Sequence, residues 1–185
     1  MAEPAPRLVI LDRDGVINRE SAEFIKSPAE WEPLPGAVAA IAALRAAGFT
    51  VVIATNQSGV GRGLFSAATL DSIHQTLRDA VRACGGEIDR IFICPHAPAD
   101  ACDCRKPKPG LFTQIAAAYG VTLSGVPAIG DSRRDLDAAF AAGARPILVR
   151  TGHGERTEAA LGRGAGVAVF NDLAEAARDL IGEPR

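Results

Sequence analysis

The sequence has no excess of charge of either sign: 20 lysines and arginines face 22 aspartates and glutamates, a formal net charge of −2 over 185 residues. Nucleic acid and anionic membrane surfaces attract a basic field, and a chain this near balance does not supply one. Long apolar runs are missing as well. No stretch approaches the roughly 20 consecutive apolar residues of a membrane span, and the opening Met-Ala-Glu-Pro-Ala-Pro-Arg lacks the apolar core of an export leader. The expectation is a soluble, cytoplasmic protein, acting as a monomer on a small molecule. Repeats, low-complexity tracts and linkers are also absent, so one domain over residues 1–185 is expected, and 48% hydrophobic residues suffice for its core. Cysteine is scarce, with 4 residues, and three of them cluster with a histidine between Cys94 and Cys104. Without a leader, such a cluster favours a metal over disulfides. Cys84 stands apart near the end of a helical run, where a buried or half-buried small side chain is expected.

Short apolar runs alternate with amphipathic ones along the chain. Strands are predicted at Leu8–Leu11, Thr50–Ala54, Ile88–Ile93, Val126–Gly130, Pro146–Val149 and Val167–Phe170. Helices are predicted at Ala37–Ala47, Ala67–Ala83, Leu111–Tyr119, Leu136–Ala142 and Leu173–Ile181, where apolar residues recur three and four apart. Strands that are apolar throughout and separated by helices form a parallel sheet covered on both faces, an α/β architecture.

Several of these strands end in residues that a buried strand has no reason to carry. Asp12 and Asp14 follow Leu8–Leu11, and Asp131 follows Val126–Gly130, with Asp135 four residues further on. An unpaired buried charge costs several kcal/mol, roughly, so these acids need a cation or a solvated pocket at the carboxyl edge of the sheet, where ligands of open α/β sheets bind. Thr55-Asn56 ends the second strand and leads into the glycine-rich Gln57–Gly63, whose backbone can approach a phosphate closely. Arg105-Lys106-Pro107-Lys108 sets three cations in four positions before a helix, with Lys108 expected to face solvent.

Cys94-Pro-His96 and Cys102-Asp-Cys104 are two pairs, each with one residue between its members. In extended chain, positions i and i+2 face the same side, so each pair can pinch a metal. Three thiolates and one imidazole make a closed tetrahedral zinc site, structural rather than catalytic by ligand count.

In this order the segments resemble the four motifs of the haloacid dehalogenase-like phosphatases. The resemblance covers nearly the whole chain and implies a Rossmann-like sheet with the first strand central and no separate cap domain. It implies Asp12 as nucleophile, Asp14 as general acid/base, Thr55 and Asn56 as phosphoryl and substrate contacts, and Lys106 as the cation that neutralises nucleophile and phosphoryl group. Arg105 would read the remainder of the substrate. Mg²⁺ would be held by Asp12, Asp131 and the backbone carbonyl of Asp14; its taste for octahedral oxygen ligation suits that set. Asp135 is either a second acid behind these or a first-turn helix acid. The zinc loop running into Cys104-Arg105-Lys106-Pro107 is similar to that of the heptose bisphosphate phosphatases and of the histidinol-phosphate phosphatases. Thr55–Gly63 and Val149–Gly152 look more like the former, and the short His96–Cys102 interval more like the latter. The function implied is a Mg²⁺-dependent phosphatase of a soluble heptose bisphosphate, in heptose supply for lipopolysaccharide, with histidinol-phosphate phosphatase as the alternative. Two readings from other classes are a phospho-accepting signalling domain and a zinc-stabilised binding protein.

Overall fold

Leu8, Val9, Ile10 and Leu11 are almost wholly excluded from solvent in the computed structural model, which describes residues 7–162 and 166–182. They form β1 (Arg7–Leu11), followed in order by α1 (Ala37–Ala46), β2 (Phe49–Asn56), the four-residue α2 (Ser58–Gly61), α3 (Ala67–Ala83) and β3 (Arg90–Cys94). The second half comprises α4 (Gly110–Tyr119), β4 (Pro127–Gly130), α5 (Arg133–Ala141), β5 (Arg145–Val149), α6 (Gly154–Leu161), β6 (Ala168–Phe170) and α7 (Leu173–Ile181). The six strands make one sheet in the order β3-β2-β1-β4-β5-β6, and every pairing is parallel.

Alternation along the strands builds two cores. Val9, Leu11, Val51, Ile53, Ile129, Ile147 and Val149 point to one face, where α1, α3 and α7 supply Ile41, Leu44, Ile73, Leu77 and Leu173. Leu8, Ile10, Val52, Ala54 and Ala128 point to the other, against Leu111, Phe112 and Ile115 of α4 and Ala138 and Ala139 of α5. Because all strands are parallel, their carboxyl ends share one edge. Leu11 pairs with both Ile53 and Ile129, so Asp12 emerges between the ends of β2 and β4.

Each predicted strand and helix is present, with ends displaced by a few residues. α5 begins at Arg133 rather than Leu136 because a capping box starts it early: the Asp135 carboxylate accepts from the backbone N–H and hydroxyl of Ser132, at 3.0 and 2.6 Å. Two helices were not anticipated. α2 is one turn long, and α6 has few large apolar residues; its buried Thr157 is tied by a 2.9 Å hydrogen bond to the carbonyl of Asp131. Cys84 is a correction, since it is exposed; it caps α3 at the carboxyl end, beyond the buried stripe that ends at Val81. No helix among the described residues is long and apolar enough to cross a membrane.

Candidate active site

The carboxyl edge of the sheet opens into a pocket of about 270 Å³ whose floor includes Asp12, Asp14, Thr55, Lys106 and Asp131. Four segments far apart in sequence thus converge, carried there by the ends of strands or by the approach to a helix. Lys106 is buried, with its Nζ 3.0 Å from Asp12 Oδ1, 2.6 Å from Asp135 Oδ1 and 2.8 Å from the carbonyl of Ala54. Burial opposes its charge, but Asp12 and Asp135 outweigh that and hold the ammonium above its usual pKa.

The carboxylates divide into two kinds. Burial first, and the charges of acidic neighbours after it, push Asp12 up to about 7 against the opposing ammonium of Lys106, and Asp131 up to about 8. Burial also opposes ionisation of Asp14 and Asp135, yet the guanidinium of Arg13 and the ammonium of Lys106, respectively, hold them below the usual carboxylate range. Asp14 Oδ1 accepts from Arg13 Nε at 3.1 Å, Arg13 Nη2 at 2.8 Å and Asn18 Nδ2 at 2.9 Å. Its Oδ2 accepts from Arg13 Nη2 at 2.9 Å and Gln57 Nε2 at 2.8 Å; the same Gln57 amide also donates to the Thr55 hydroxyl at 2.9 Å.

A magnesium ion fits what these residues leave open. Oxygens of Asp12, Asp131 and Asp135 lie within 4.8 Å of one another. Asp135 is committed to Lys106 and Ser132, whereas Asp12 and Asp131 are two crowded acids whose raised pKa values mark a deficit of positive charge. Gly15, at φ +80°, leaves the space beside them, since a Cβ there would stand 2.1 Å from Asp131 Oδ2. Hard oxygen donors of this kind suit Mg²⁺. Asp135 therefore fills both roles that the sequence left open, as a first-turn acid of α5 and as partner of the lysine.

The four zinc-loop side chains also come together. Cys94 Sγ is 3.7 Å from His96 Nδ1 and 3.6 Å from Cys102 Sγ; Cys104 Sγ is 3.3 Å from His96 Nδ1 and 3.6 Å from Cys102 Sγ. Zn–S and Zn–N bonds of roughly 2.3 and 2.0 Å imply tetrahedron edges of about 3.8 and 3.6 Å, close to this set and far from disulfide bonding. Burial and the neighbouring sulfurs push Cys104 up to about 12, a crowding that a divalent cation would relieve.

Two expectations change in detail. The side chain of Asn56, expected on the substrate, closes a ring with the main chain of Lys106: Asn56 Nδ2 donates to the Lys106 carbonyl and Lys106 N donates to Asn56 Oδ1, both at 3.1 Å. It holds the lysine segment in place. Arg105 lies on the pocket rim as expected, and its Nη1 also donates to the His96 carbonyl at 3.3 Å. Sequence reasoning missed Arg13, Asn18, Gln57 and His74, all buried polar side chains, and the rim residues Arg62 and Arg134. Lys108 is exposed and paired with Asp103, as anticipated.

Known proteins share this arrangement. A HAD-hydrolase-like family model matches residues 103–176, and a polynucleotide kinase 3 phosphatase model matches residues 8–127. The chain is 54% identical to D-glycero-beta-D-manno-heptose-1,7-bisphosphate 7-phosphatase of Bordetella bronchiseptica, over 96% of this chain and 99% of the relative. It is 51% identical to the enzyme of that name from Pseudomonas aeruginosa, over 94% and 97%. The crystal structure of the Bordetella bronchiseptica D,D-heptose 1,7-bisphosphate phosphatase, complexed with magnesium and phosphate, superposes with a TM-score of 0.93 over 96% of this chain and 99% of that one. The Burkholderia thailandensis enzyme of the same name, 43% identical, gives 0.75 over 96% and 99%.

Elemental analysis is expected to find one zinc per chain, and Cys102→Ser to lower both melting temperature and turnover because the loop loses a ligand. Unchanged melting and full activity after complete removal of zinc would contradict a structural metal. A second expectation concerns acid stability. Burial and the charge of Arg13 depress the folded-state pKa of His74 from 6.5 to about 3. Between these values the unfolded chain binds a proton that the folded chain refuses, so this residue's contribution is present above pH 6.5 and is lost as the pH falls toward 3. Chemical denaturation from pH 6.5 to 4 should therefore show His74→Gln losing stability less steeply than the parent, by up to about 1.4 kcal/mol per pH unit. Identical slopes would mean that His74 titrates normally.

Proposed function

The chain belongs to the haloacid dehalogenase-like phosphatases, and we propose that it removes the 7-phosphate of D-glycero-D-manno-heptose 1,7-bisphosphate. The observation that carries this reading is the convergence of Asp12, Lys106 and Asp131 at adjoining strand ends beside the hydrogen-bonded Asp14, in a chain more than half identical to a curated relative of that name. Asp12 attacks phosphorus, forming an aspartyl phosphate as the bond to the sugar oxygen breaks, and Asp14 gives that oxygen a proton. Asp14 then takes a proton from the water that hydrolyses the aspartyl phosphate, releasing inorganic phosphate and restoring Asp12. Lys106 favours the anion of Asp12 and shares the charge of the phosphoryl group, while Thr55 offers its hydroxyl to a phosphoryl oxygen. Asp12 and Asp131, with the Asp14 carbonyl, would hold Mg²⁺, which would supply positive charge to offset repulsion between an anionic nucleophile and an anionic phosphate.

The donor-rich setting of Asp14 favours its anion, the form that accepts a proton from water. The arriving phosphate counteracts Arg13 and draws a proton onto Asp14 for the first step, since a nearby negative charge raises a carboxyl pKa. Oδ2 accepts from two donor groups where Oδ1 accepts from three, and is the oxygen with room for that proton.

The rim supports a bisphosphate. Arg62, Arg105 and Arg134 border the pocket, and a second phosphate suits guanidinium forks, whereas the amine of histidinol phosphate would be repelled. Glu20, also on the rim, is taken by His153 Nε2 at 2.7 Å. With a net charge of −2 the chain lacks the basic field that a polynucleotide end would call for. We assign it a single-domain role as a cytoplasmic monomer, in the supply of heptose for lipopolysaccharide.

Asp12→Asn should abolish turnover and leave no acyl-phosphate to trap, while Asp14→Asn should form phosphoenzyme that resolves slowly; substantial steady-state turnover by Asp12→Asn would sink the mechanism. Arg105→Ala should lower kcat/KM for the heptose bisphosphate roughly ten- to a hundredfold more than for p-nitrophenyl phosphate, the value of one charge-assisted contact. Equal losses on the two substrates would assign Arg105 to the chemistry, and a preference of the parent protein for histidinol phosphate would overturn the assignment.

A further inference from the structure

The buried face of α3 carries Leu70, Ile73, Leu77 and Val81 at helical spacing, and His74 interrupts this apolar stripe. A polar side chain in such a place is tolerated only with a partner, and the partner is Arg13, whose Nη1 lies 3.3 Å from His74 Nε2. Arg13 is itself almost completely buried. Its Nε and Nη2 are spent on the carboxylate of Asp14, which leaves Nη1 as the arm that needs an acceptor elsewhere. Since guanidinium can only donate, the imidazole must be neutral with its proton on Nδ1. A leucine at position 74 would suit the stripe better were there no arginine to satisfy.

We propose that His74, acting through the guanidinium of Arg13, is a positioning residue for the carboxylate of Asp14. The planar fork fixes both oxygens of Asp14 at once, and its own orientation is fixed from behind by the imidazole. Without the acceptor, one arm of a buried cation goes unpaired, and the fork turns to recover a hydrogen bond, taking Asp14 with it. His74 touches neither substrate nor metal. The inference rests on the reading of Asp14 as acid/base.

Steady-state and stopped-flow kinetics of the magnesium-loaded protein with p-nitrophenyl phosphate test it. In the first step Asp12 bonds to phosphorus and the aryl oxygen departs as a weakly basic phenolate that needs no proton from Asp14. In the second, water attacks phosphorus, its proton passes to Asp14 and the bond to Asp12 breaks. A misplaced Asp14 slows only the second. For His74→Ala, kcat and KM should fall together, roughly ten- to a hundredfold, with kcat/KM unchanged. A burst of p-nitrophenolate approaching one per active site should precede the slow phase. His74→Gln, whose Oε1 can accept from Arg13, should restore kcat and abolish the burst. A mere loss of packing would instead lower kcat/KM without a burst, and that result, or an unchanged kcat, would overturn the proposal. Asp14→Asn separates the two layers. A burst in Asp14→Asn but none in His74→Ala overturns the role of His74 alone; no burst in Asp14→Asn removes the reading of Asp14 and the proposal with it.

Discussion

A single buried ammonium reconciles the acids at this sheet edge with the apolar strands that deliver them. Asp12, Asp131 and Asp135 approach within 4.8 Å of one another in a region largely closed to water. Lys106 meets two of them, at 3.0 and 2.6 Å. One cation cannot balance three carboxylates, and burial together with their mutual repulsion raises the pKa values of Asp12 and Asp131. That residue of negative charge draws a divalent cation and, through it, an anionic substrate. Removal of the lysine would leave Asp12 and Asp135 buried without their counter-charge, so its place must be fixed by more than its own ion pairs.

The zinc loop provides that support. Cys94 ends β3 in register with Asn56 of β2, and Gln57 N donates to the Cys94 carbonyl at 2.7 Å. One residue separates Cys104, at the far end of the ligand set, from Lys106, whose main chain closes the hydrogen-bonded ring with Asn56. Gly61 N donates to the Pro95 carbonyl at 2.9 Å, and a Cβ on Gly61 would stand 2.6 Å from that oxygen, so α2 lies flush against the loop. The cysteine and histidine cluster thereby ties the end of β2 to the lysine segment, where few apolar side chains are available to do so.

The fold was legible because each of its six strands is a short apolar run, and because parallel sheets bury both faces. The acids at strand ends were legible for the opposite reason: they break that rule and must be compensated. What escaped reading was compensation made by ordinary-looking polar residues. Arg13 between two acids reads as a solvated side chain, His74 as a flaw in an apolar stripe, and Gln57 as part of a turn; only the tertiary fold brings them to Asp14 from three segments. Asn56 follows Thr55 on the strand and lines the same pocket, and its amide also bonds the main chain of the lysine segment, a link that sequence spacing does not announce. α6 was invisible because polar bonds such as that of Thr157, more than large apolar residues, attach it. The exposure of Cys84 follows from a helix that outlasts its apolar stripe.

Asp12 and Asp14, two residues apart, stand in opposite electrostatic settings, and the division of labour proposed for them follows from that contrast. Asp12 is raised by burial among acids and has only the shared ammonium of Lys106 to keep it charged. Such a carboxylate is poorly solvated, and an oxygen not satisfied by donors is a better nucleophile. Asp14 is surrounded by Arg13, Asn18 and Gln57, which occupy its lone pairs and hold it still. The same donors that would blunt it as a nucleophile suit it to the proposed role of proton carrier. The arginine between them makes the distinction possible, because its guanidinium turns to Asp14 rather than Asp12, while Lys106 reaches Asp12 from the turn that precedes α4. Two identical side chains in one tripeptide are thus made chemically unlike by the partners the fold brings to each.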